Sequence, residues 1–238
     1  MKKVLPTVTG PGLLLALVSL AAASCAGPRP GSARPVTPAS TVTPAGTARP
    51  AGSPAVEPVP APPGQLPQTR AFPSAHSRAF HAEMISLWAA VVTGQARLAR
   101  PAFFPLSAYT QVKAIADPAA DWHSRLYGEF RLDVAAAHHY LGRAARHAAL
   151  LRVIVPAAQA SWIDPGVCAN GVGYWHAAGA RLVYRQRGQV RSIGIASLIS
   201  WRGRWYVVHF GAVLRTGSAG IVGTPAAGPG VPGPPGGC

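Results

Sequence analysis

Apolar side chains recur at helical spacing between positions 80 and 92, as in a helix with one buried face. Ser77 stands where a helix cap is favoured, and Gly94 stands where a helix commonly ends. The pattern therefore predicts a first helix between these two residues. A second, shorter helix is predicted to begin near Pro105, because proline is tolerated in the first helical turn. The residues expected to face inward from this second helix are Tyr109, Val112 and Ile115.

A third and longer helix is predicted to follow Asp117, an aspartate cap that is succeeded by a proline. Gly142 marks its predicted end. The apolar residues expected to share one face of this helix are Trp122, Leu126, Phe130, Val134 and Leu141. The first half of the region after residue 76 is therefore predicted to be helical.

The second half of this region changes to the alternating pattern of β-strands. Strands are predicted over residues 150–155, 173–176, 181–186, 189–201 and 204–214. Tight turns are predicted at Arg187-Gly188 and Arg202-Gly203, each of which places a glycine between two apolar runs. The last strand is apolar on both faces, so we expect it to be covered on both sides.

Helices followed by an antiparallel meander predict an α+β fold, with about three N-terminal helices packed on a curved, mainly antiparallel sheet. The order of elements and the closing hairpin, residues 197–210 with a W-x-G-x-W turn, resemble NTF2-like (cystatin-like) folds. This resemblance implies a sheet wrapped round a helix and a cone-shaped cavity. In such folds the cavity serves as an enzyme pocket, a ligand site or a plain scaffold, so the fold does not assign the function.

The N-terminus has the parts of a bacterial export signal. Two lysines follow the first residue, and residues 12–23 form an apolar stretch that is shorter than a membrane-spanning helix requires. Small residues, Ala22-Ala23-Ser24, then precede Cys25. This arrangement resembles the lipobox of bacterial lipoproteins, although Ala22 replaces the usual leucine. The alternative is ordinary secretion with cleavage after Ala23.

The lipobox resemblance implies diacylglycerol attachment to the Cys25 thiol, cleavage between Ser24 and Cys25, and often acylation of the new amine, for example by palmitate. Two acyl signals would anchor the chain stably to the membrane. Residues 80 to 214 also resemble uncharacterised lipoproteins of high-GC Gram-positive bacteria, which implies no activity. We therefore expect the protein on the extracytoplasmic face of the bacterial cell membrane.

Composition divides the chain into four parts. Residues 1–24 are the predicted signal peptide, and residues 25–75 are a stalk rich in proline, alanine and threonine that is predicted to stay disordered, because it lacks the apolar surface needed to fold. Residues 76–217 form the single predicted globular domain, which has a common domain size. Residues 218–238 are predicted to be a tail rich in glycine and proline.

The chain contains three cysteines. If Cys25 is acylated in an oxidising compartment, Cys168 and Cys238 remain as a candidate disulfide. Pairing between two molecules through the terminal thiol is the alternative.

The formal net charge is +15, from 22 basic and 7 acidic residues. Inside a cell such an excess would indicate nucleic acid, but outside the membrane the expected anions are lipid headgroups or acidic wall polymers. The arginines are scattered, so charge alone indicates no specific polyanion site. We expect membrane contact through the lipid anchor, with an anionic envelope polymer or an envelope protein as candidate partners and no nucleic acid.

The sequence lacks the common catalytic and metal-binding motifs. Its 8 histidines form no H-E-x-x-H or H-x-H pattern, and His138-His139 point to different faces of a helix. Neither G-x-S-x-G nor S-x-x-K occurs. We therefore expect no catalytic set, no metal and no cofactor.

An aromatic cluster along the strands is the strongest indication of a ligand site. It comprises Trp162, Tyr174, Trp175, His176, Trp201, Trp205, Tyr206 and His209. Such residues either form the core beneath the helices or line a cleft. If they line a cleft, the candidate ligand pocket lies between Trp175, His176, Trp201 and His209.

Two functions from different classes agree with these features. The favoured one is a lipid-anchored extracytoplasmic binding or accessory protein of the cell envelope, because the sequence predicts an anchor and a stalk and shows no catalytic set. The alternative is a small hydrolase or isomerase that uses an NTF2-like pocket with His176 or His209 as its base. A plain spacer role is a third interpretation.

Overall fold

The computed structural model describes residues 62–233, in which four α-helices are followed by six β-strands. The helices are α1 (Arg78–Thr93), α2 (Leu106–Val112), α3 (Pro118–Asp121) and α4 (Tyr127–Leu141). The strands are β1 (Ala149–Ile154), β2 (Ser161–Ile163), β3 (Tyr174–Gln186), β4 (Gln189–Trp201), β5 (Arg204–His209) and β6 (Gly223–Ala227). All named strands pair antiparallel, so the predicted α+β class and antiparallel sheet are confirmed.

The first helix begins and ends where its sequence signals predict. The Ser77 hydroxyl accepts a hydrogen bond from the Phe80 amide at 3.1 Å, which satisfies one of the amides left over at a helix start. Gly94 adopts the left-handed conformation with φ of 71°, and its amide donates to the Ala90 carbonyl. The predicted limits of α1 are therefore confirmed.

The predicted long helix is also present. A π-helical turn, Trp122–Leu126, joins α3 to α4 and makes one helical stretch of all three. The Asp117 side chain caps its start by accepting a hydrogen bond from the Ala120 amide at 2.8 Å. The apolar face predicted for this stretch is buried, and its members are Trp122, Leu126, Phe130, Val134 and Leu141.

The prediction for α2 is right at its start and wrong at its end. Tyr109 and Val112 are buried, but the helix stops at Val112 and Ile115 is 38% exposed. The backbone leaves the helix because Lys113 pairs with Asn170 and the Val112 carbonyl accepts a hydrogen bond from the Gly171 amide. A tertiary backbone pairing therefore overrides the helical periodicity.

The sheet is built round the long hairpin β3–β4. β1 and β2 pair with successive parts of β3, while β6 and β5 pair with successive parts of β4. The turns predicted at Arg187-Gly188 and Arg202-Gly203 are confirmed, with φ of 50° and 76° in the first and 49° and 73° in the second. Positive φ at both central residues is the geometry that suits the twist of a two-residue hairpin.

Several strand predictions need correction. The predicted strands 173–176 and 181–186 form one continuous strand, β3. Gly179 lies between them and adopts a φ of 66°, but the pairing of β3 with β4 continues on both sides of it. The strand predicted over 204–214 ends at His209, since the Gly211 amide turns away to the Asp133 carboxylate. β2 and β6 were not predicted.

The last hairpin strand is covered on both faces, as its apolar pattern predicts. On the helix side the Tyr206 ring packs against Phe104, with ring centroids 5.9 Å apart. On the other side the Trp205 ring packs against Phe72, also at 5.9 Å. β5 therefore belongs to the core although it lies at one side of the sheet.

Both chain segments that flank the predicted domain take part in the folded unit. Gln68 donates to the Ser200 carbonyl at 2.9 Å and accepts from the Arg202 amide at 2.7 Å. After residue 217, β6 pairs with β4. The folded unit therefore extends beyond the predicted limits of 76 and 217 on both sides. The predicted signal peptide, most of the stalk and the last five residues lie outside the described range.

Candidate functional site

A cavity of about 250 Å³ lies between the helices and the inner face of the sheet. Its walls come from the end of α2, the π-helical turn, strands β2 to β5 and the segment that follows β5. The apolar residues of the wall are Val112, Leu126, Ile163, Ile199, Val208, Val213 and Leu214. Polar side chains from separate elements complete it, and they give the cavity its chemical character.

Three strands place polar side chains on the cavity face. His176 of β3 lies opposite Ile199 of β4, and Ser197 of β4 lies opposite His209 of β5. Because alternate residues of a strand share a face, Ser197 and Ile199 both face the cavity. A register shift between β4 and β5 lets the neighbouring residues Val208 and His209 both line it.

His176 and Ser197 form a buried polar pair. The His176 Nε2 lies 2.8 Å from the Ser197 Oγ, and the two residues are only 7% and 3% exposed. Such a hydrogen bond satisfies two polar groups that have lost their contact with bulk water. A histidine within this distance of a serine hydroxyl can also act as its general base, so the geometry allows both a structural and a chemical role.

Lys113 brings a positive charge to the cavity directly after α2. Its ammonium donates a hydrogen bond to the Cys168 carbonyl at 2.9 Å. Cys168 is disulfide-bonded and lies in a tight turn in which it and Ala169 both have positive φ angles. Burial, assisted by the nearby Arg125 charge, lowers the pKa of Lys113 below its ordinary value.

Arg125 adds a second positive charge, which is held by a hydrogen-bond network. Its Nε and Nη2 donate to the two Asp121 carboxylate oxygens at 2.7 Å, and its Nη2 also donates to the Tyr109 hydroxyl at 2.9 Å. The Tyr109 hydroxyl donates in turn to Asp121. The hydrogen bond from Arg125 holds the pKa of Asp121 below its ordinary value, so this carboxylate stays charged beside the cavity.

The imidazole of His209 also lies in these surroundings. Burial lowers the pKa of its imidazole from 6.5 to about 4, and positive charge on Arg125, Arg215 and Lys113 acts in the same direction. The imidazole is therefore neutral at pH 7. It can accept a proton there whenever a bound group compensates the positive field.

Asn170 and Tyr174 close the end of the cavity near the disulfide-bonded turn. The Asn170 Nδ2 donates to the Tyr174 hydroxyl at 2.8 Å, and Asn170 is only 1% exposed. Its Oδ1 has no hydrogen-bond partner among the residues that the structure describes. A buried acceptor without a hydrogen bond lowers the free energy of unfolding. The Asn170 amide therefore keeps this end of the cavity polar at some cost in stability.

The structure separates the four residues predicted to form the pocket. His176 and His209 both line the cavity. Trp175 adjoins His176 in β3 and faces the other side of the sheet, where its ring packs against Phe72 at 5.0 Å. Trp201 is fully buried and packs against Phe104 at 6.0 Å. The tryptophans thus belong to the packing on either side of the sheet.

The predicted covalent sites fall largely outside the described residues. Cys25 and Cys238 both lie there, whereas Cys168 lies within the described range and is disulfide-bonded. Lipid attachment at Cys25 and the pairing of Cys168 with Cys238 therefore stay predictions.

Five polar residues of the cavity were missed by sequence analysis. They are Tyr109, Lys113, Arg125, Asn170 and Ser197. Tyr109 and Lys113 come from α2 and its end, the other three come from separate segments, and only the packing of the helices on the sheet brings them together. One signal was available in the sequence, since Lys113 is the only lysine after Lys3 in an arginine-rich chain.

A larger and more open cleft of about 900 Å³ lies beside α4. Four arginines line it: Arg97, Arg125, Arg131 and Arg215. Two of these already bind carboxylates, because Arg125 pairs with Asp121 and Arg215 pairs with Asp133 and Glu129. The smaller cavity, with its convergent polar groups on apolar walls, is therefore the candidate ligand site.

Within residues 62–233, no three His, Cys, Asp or Glu side chains lie close enough together to hold a metal ion. None of the helices in that range is long and apolar enough to cross a membrane.

Comparison with protein-family models, with curated proteins and with solved structures finds no match. The residues that line the cavity are therefore the basis for a functional proposal.

Proposed function

We propose that this protein is a lipid-anchored binding protein of the bacterial cell envelope, held at the extracytoplasmic face of the membrane through Cys25. In this proposal the 250 Å³ cavity takes up a small ligand. The observation that supports it is the make-up of the cavity, which combines apolar walls with a few converging polar groups, as small-molecule sites usually do.

We also propose that the fold is NTF2-like. An NTF2-like fold requires a bent sheet with helices over its concave face and a cavity between them. One backbone irregularity supports such a bend: the register of β4 with β5 shifts beside Ser197, and a bulge of this kind bends a strand and increases its twist. In β3, Gly179 adopts a φ of 66° while its neighbours Ala178 and Ala180 stay paired with β4.

The anchor can be tested by intact mass measurement of the mature protein from bacterial membranes. We expect a chain that begins at Cys25 and carries diacylglycerol, and we expect Cys25→Ser to release the protein from the membrane fraction. A mature chain that begins at Ser24 without lipid would favour ordinary secretion and remove the anchor from the proposal.

The binding function can be tested by blocking the mouth of the cavity. Val213 lines the cavity and is 40% exposed, so Val213→Trp can place a large ring there without disturbing the core. Val190 is 37% exposed and does not line the cavity, which makes Val190→Trp a matched control. We expect Val213→Trp to weaken binding at least about tenfold, because the ring would compete with the ligand for the same volume.

Two naphthalene probes suit this measurement. Naphthalene-2-sulfonamide is uncharged and naphthalene-2-sulfonate carries a permanent negative charge, while their apolar bodies are identical. Titration calorimetry with the exported Cys25→Ser chain avoids detergent that would dissolve the probes. If neither probe binds, or if both tryptophan variants bind like the parent chain, the cavity is not a ligand site.

The enzymatic alternative rests on a separate observation. His176 lies 2.8 Å from the Ser197 hydroxyl, and His209 is neutral at pH 7, so either imidazole could accept a proton. A hydrolase of this kind should release p-nitrophenol from p-nitrophenyl butyrate, and His176→Ala with His209→Ala should abolish that release. Equal turnover by the parent chain and the double variant would exclude these histidines as the base.

A further inference from the structure

The ionisable side chains that line the cavity include four basic ones. Lys113 after α2, Arg125 in the π-helical turn and His176 and His209 on the strands all line it. No carboxylate lines it among the residues that the structure describes. Asp121, which lies beside Arg125, is already engaged by that guanidinium and by the Tyr109 hydroxyl.

Lys113 retains hydrogen-bonding capacity. A lysine ammonium has three N–H donors, and the structure shows one of them engaged, in the bond to the Cys168 carbonyl. Arg125, by contrast, directs two of its nitrogens to Asp121. Lys113 is therefore the cation best placed to bind a ligand head.

His209 shows what this field does to a group that can change its charge. Lys113, Arg125 and Arg215 surround it with positive charge, and His176 adds to their effect from the neighbouring part of the sheet. Tyr109 and Tyr174, the other titratable groups of the cavity wall, are neutral at pH 7, and burial raises the pKa of each phenol further above its ordinary value of 10. Burial is the main cause of the low pKa of His209, and these positive charges add to it. An anion bound among these groups would attract the protonated imidazole and so favour proton uptake.

We propose, on the basis of the binding function above, that the ligand is a small amphipathic anion whose head binds Lys113 and whose binding is coupled to proton uptake by His209. The apolar body of the ligand then occupies the wall formed by Val112, Leu126, Ile163, Ile199 and Val208. Carboxylates with a short aliphatic or aromatic body have this chemistry.

Proton linkage sets the expected pH dependence. A group that gains a proton when the ligand binds makes affinity rise as the pH falls towards the pKa of the unbound group. Naphthalene-2-sulfonate remains ionised throughout the range from pH 5.5 to 7.5, so any change in its affinity reports the protein. We expect its affinity to rise about tenfold from pH 7.5 to 5.5, and we expect that of naphthalene-2-sulfonamide to stay constant.

Three variants separate the contributions. Lys113→Met should lower the sulfonate affinity about tenfold or more and the sulfonamide affinity by much less, because an ionised head loses a charge-assisted hydrogen bond between opposite charges and a neutral head loses a weaker one. Lys113→Arg should restore most of the sulfonate affinity. His209→Gln should remove the pH dependence, since glutamine keeps polarity at this position without titrating. Retained sulfonamide binding shows in each case that the variant is folded.

The outcomes distinguish this inference from the binding function itself. If the sulfonamide binds and the sulfonate binds no more tightly, the cavity is a ligand site but its ligand is not an anion. If the sulfonate is preferred at all pH values to the same degree, or if His209→Gln leaves the pH dependence intact, the coupling to His209 is wrong. If neither probe binds, the binding function fails.

Discussion

Glu83 of α1 keeps a carboxyl group inside the protein beside Arg204 of β5. One of its oxygens accepts a hydrogen bond from the Arg204 Nη2, while its Oε2 has no partner among the described residues. Burial raises the pKa of Glu83 to about 7, although the Arg204 charge acts in the opposite direction. This pKa lies above the ordinary value of 4.5, so folding favours the protonated carboxyl group. The contribution of Glu83 to the free energy of unfolding is therefore complete below pH 4.5 and is lost as the pH rises through 7.

Glu83→Gln should therefore remove a pH dependence of stability. Relative to the parent chain, the variant should gain about 2 kcal/mol in the free energy of unfolding between pH 5 and pH 8. Urea unfolding at both pH values measures the difference. Asp164→Asn, in an exposed turn, is the control and should show no such change. An equal effect of Glu83→Gln at the two pH values would contradict the raised pKa.

His209 should have the opposite effect on stability. Its pKa of about 4 lies below the ordinary 6.5, so the unfolded chain takes up the proton first. The contribution of the neutral His209 imidazole to the free energy of unfolding is therefore present above pH 6.5 and is lost as the pH falls towards 4. His209→Gln should therefore gain about 2 kcal/mol relative to the parent chain between pH 7 and pH 4.5. His81→Gln, at an exposed position of α1, serves as the control in the same unfolding series.

At the level of elements, Asp133 connects α4 to the segment between β5 and β6. Its carboxylate accepts hydrogen bonds from the Gly211 and Ile221 amides, both at 2.8 Å, and it binds Arg215 as well. Asp133 is fully buried. One side chain thus holds both ends of a long connection against the helix.

Asp133→Ala should destabilise the protein by about 3–5 kcal/mol, because two buried amides and a guanidinium would lose their acceptor together. Glu129→Gln provides a matched comparison on the same helix. Glu129 contacts Arg215 at 3.3 Å and is partly exposed, so its change should cost less than about 1 kcal/mol. Denaturant unfolding of both variants tests this. Similar losses would show that Asp133 has no special role in holding the connection.

Sequence patterns predicted those elements whose signals are local. The Ser77 cap and the turn at Arg187-Gly188 depend on a few adjacent residues, and both were correctly placed. β6 was not predicted because its sequence, GTPAA, shows no alternation of apolar and polar residues. Its only β-branched residue is a threonine. It is a strand only because β4 offers it a hydrogen-bonding edge. The end of α2 was missed for the same reason, since its cause is a distant backbone pairing.

Sequence analysis identified only some residues of the candidate site. The aromatic strand pattern identified His176 and His209, but it could not assign faces, and Trp175 lies on the opposite side of the sheet from its neighbour. Lys113 directly follows α2 and Arg125 lies in the π-helical turn, and the position of both over the sheet depends on tertiary packing. A pattern with a period of two carries no information about such residues.

On the scale of the whole molecule, the segment after residue 217 covers part of the sheet. Beneath it lies Arg181 of β3, which is only 2% exposed. The guanidinium donates to the Thr224 carbonyl at 2.7 Å and to the Ser192 hydroxyl at 2.6 Å, and burial lowers its pKa below the ordinary value. A buried cation bound to neutral acceptors depends on every one of them.

Truncation after residue 217 should therefore destabilise the protein by more than about 2 kcal/mol. The truncated chain would lose the pairing of β6 with β4 and the Thr224 acceptor for Arg181. Cys238→Ser is the control, because it removes the predicted disulfide and leaves β6 in place. If the truncated chain and Cys238→Ser unfold at the same urea concentration, the segment contributes nothing beyond its cysteine.

The strands that border the central hairpin are short. β1, β2, β5 and β6 have 6, 3, 6 and 5 residues, whereas β3 and β4 have 13 each. The unpaired edge that each border strand offers is therefore brief, and the edge of β5 is further occupied by hydrogen bonds with residues 102 to 104. Long open edges are what allow sheets of separate molecules to join into fibres. Copies of the folded unit at high local concentration should accordingly remain separate rather than aggregate through their backbones.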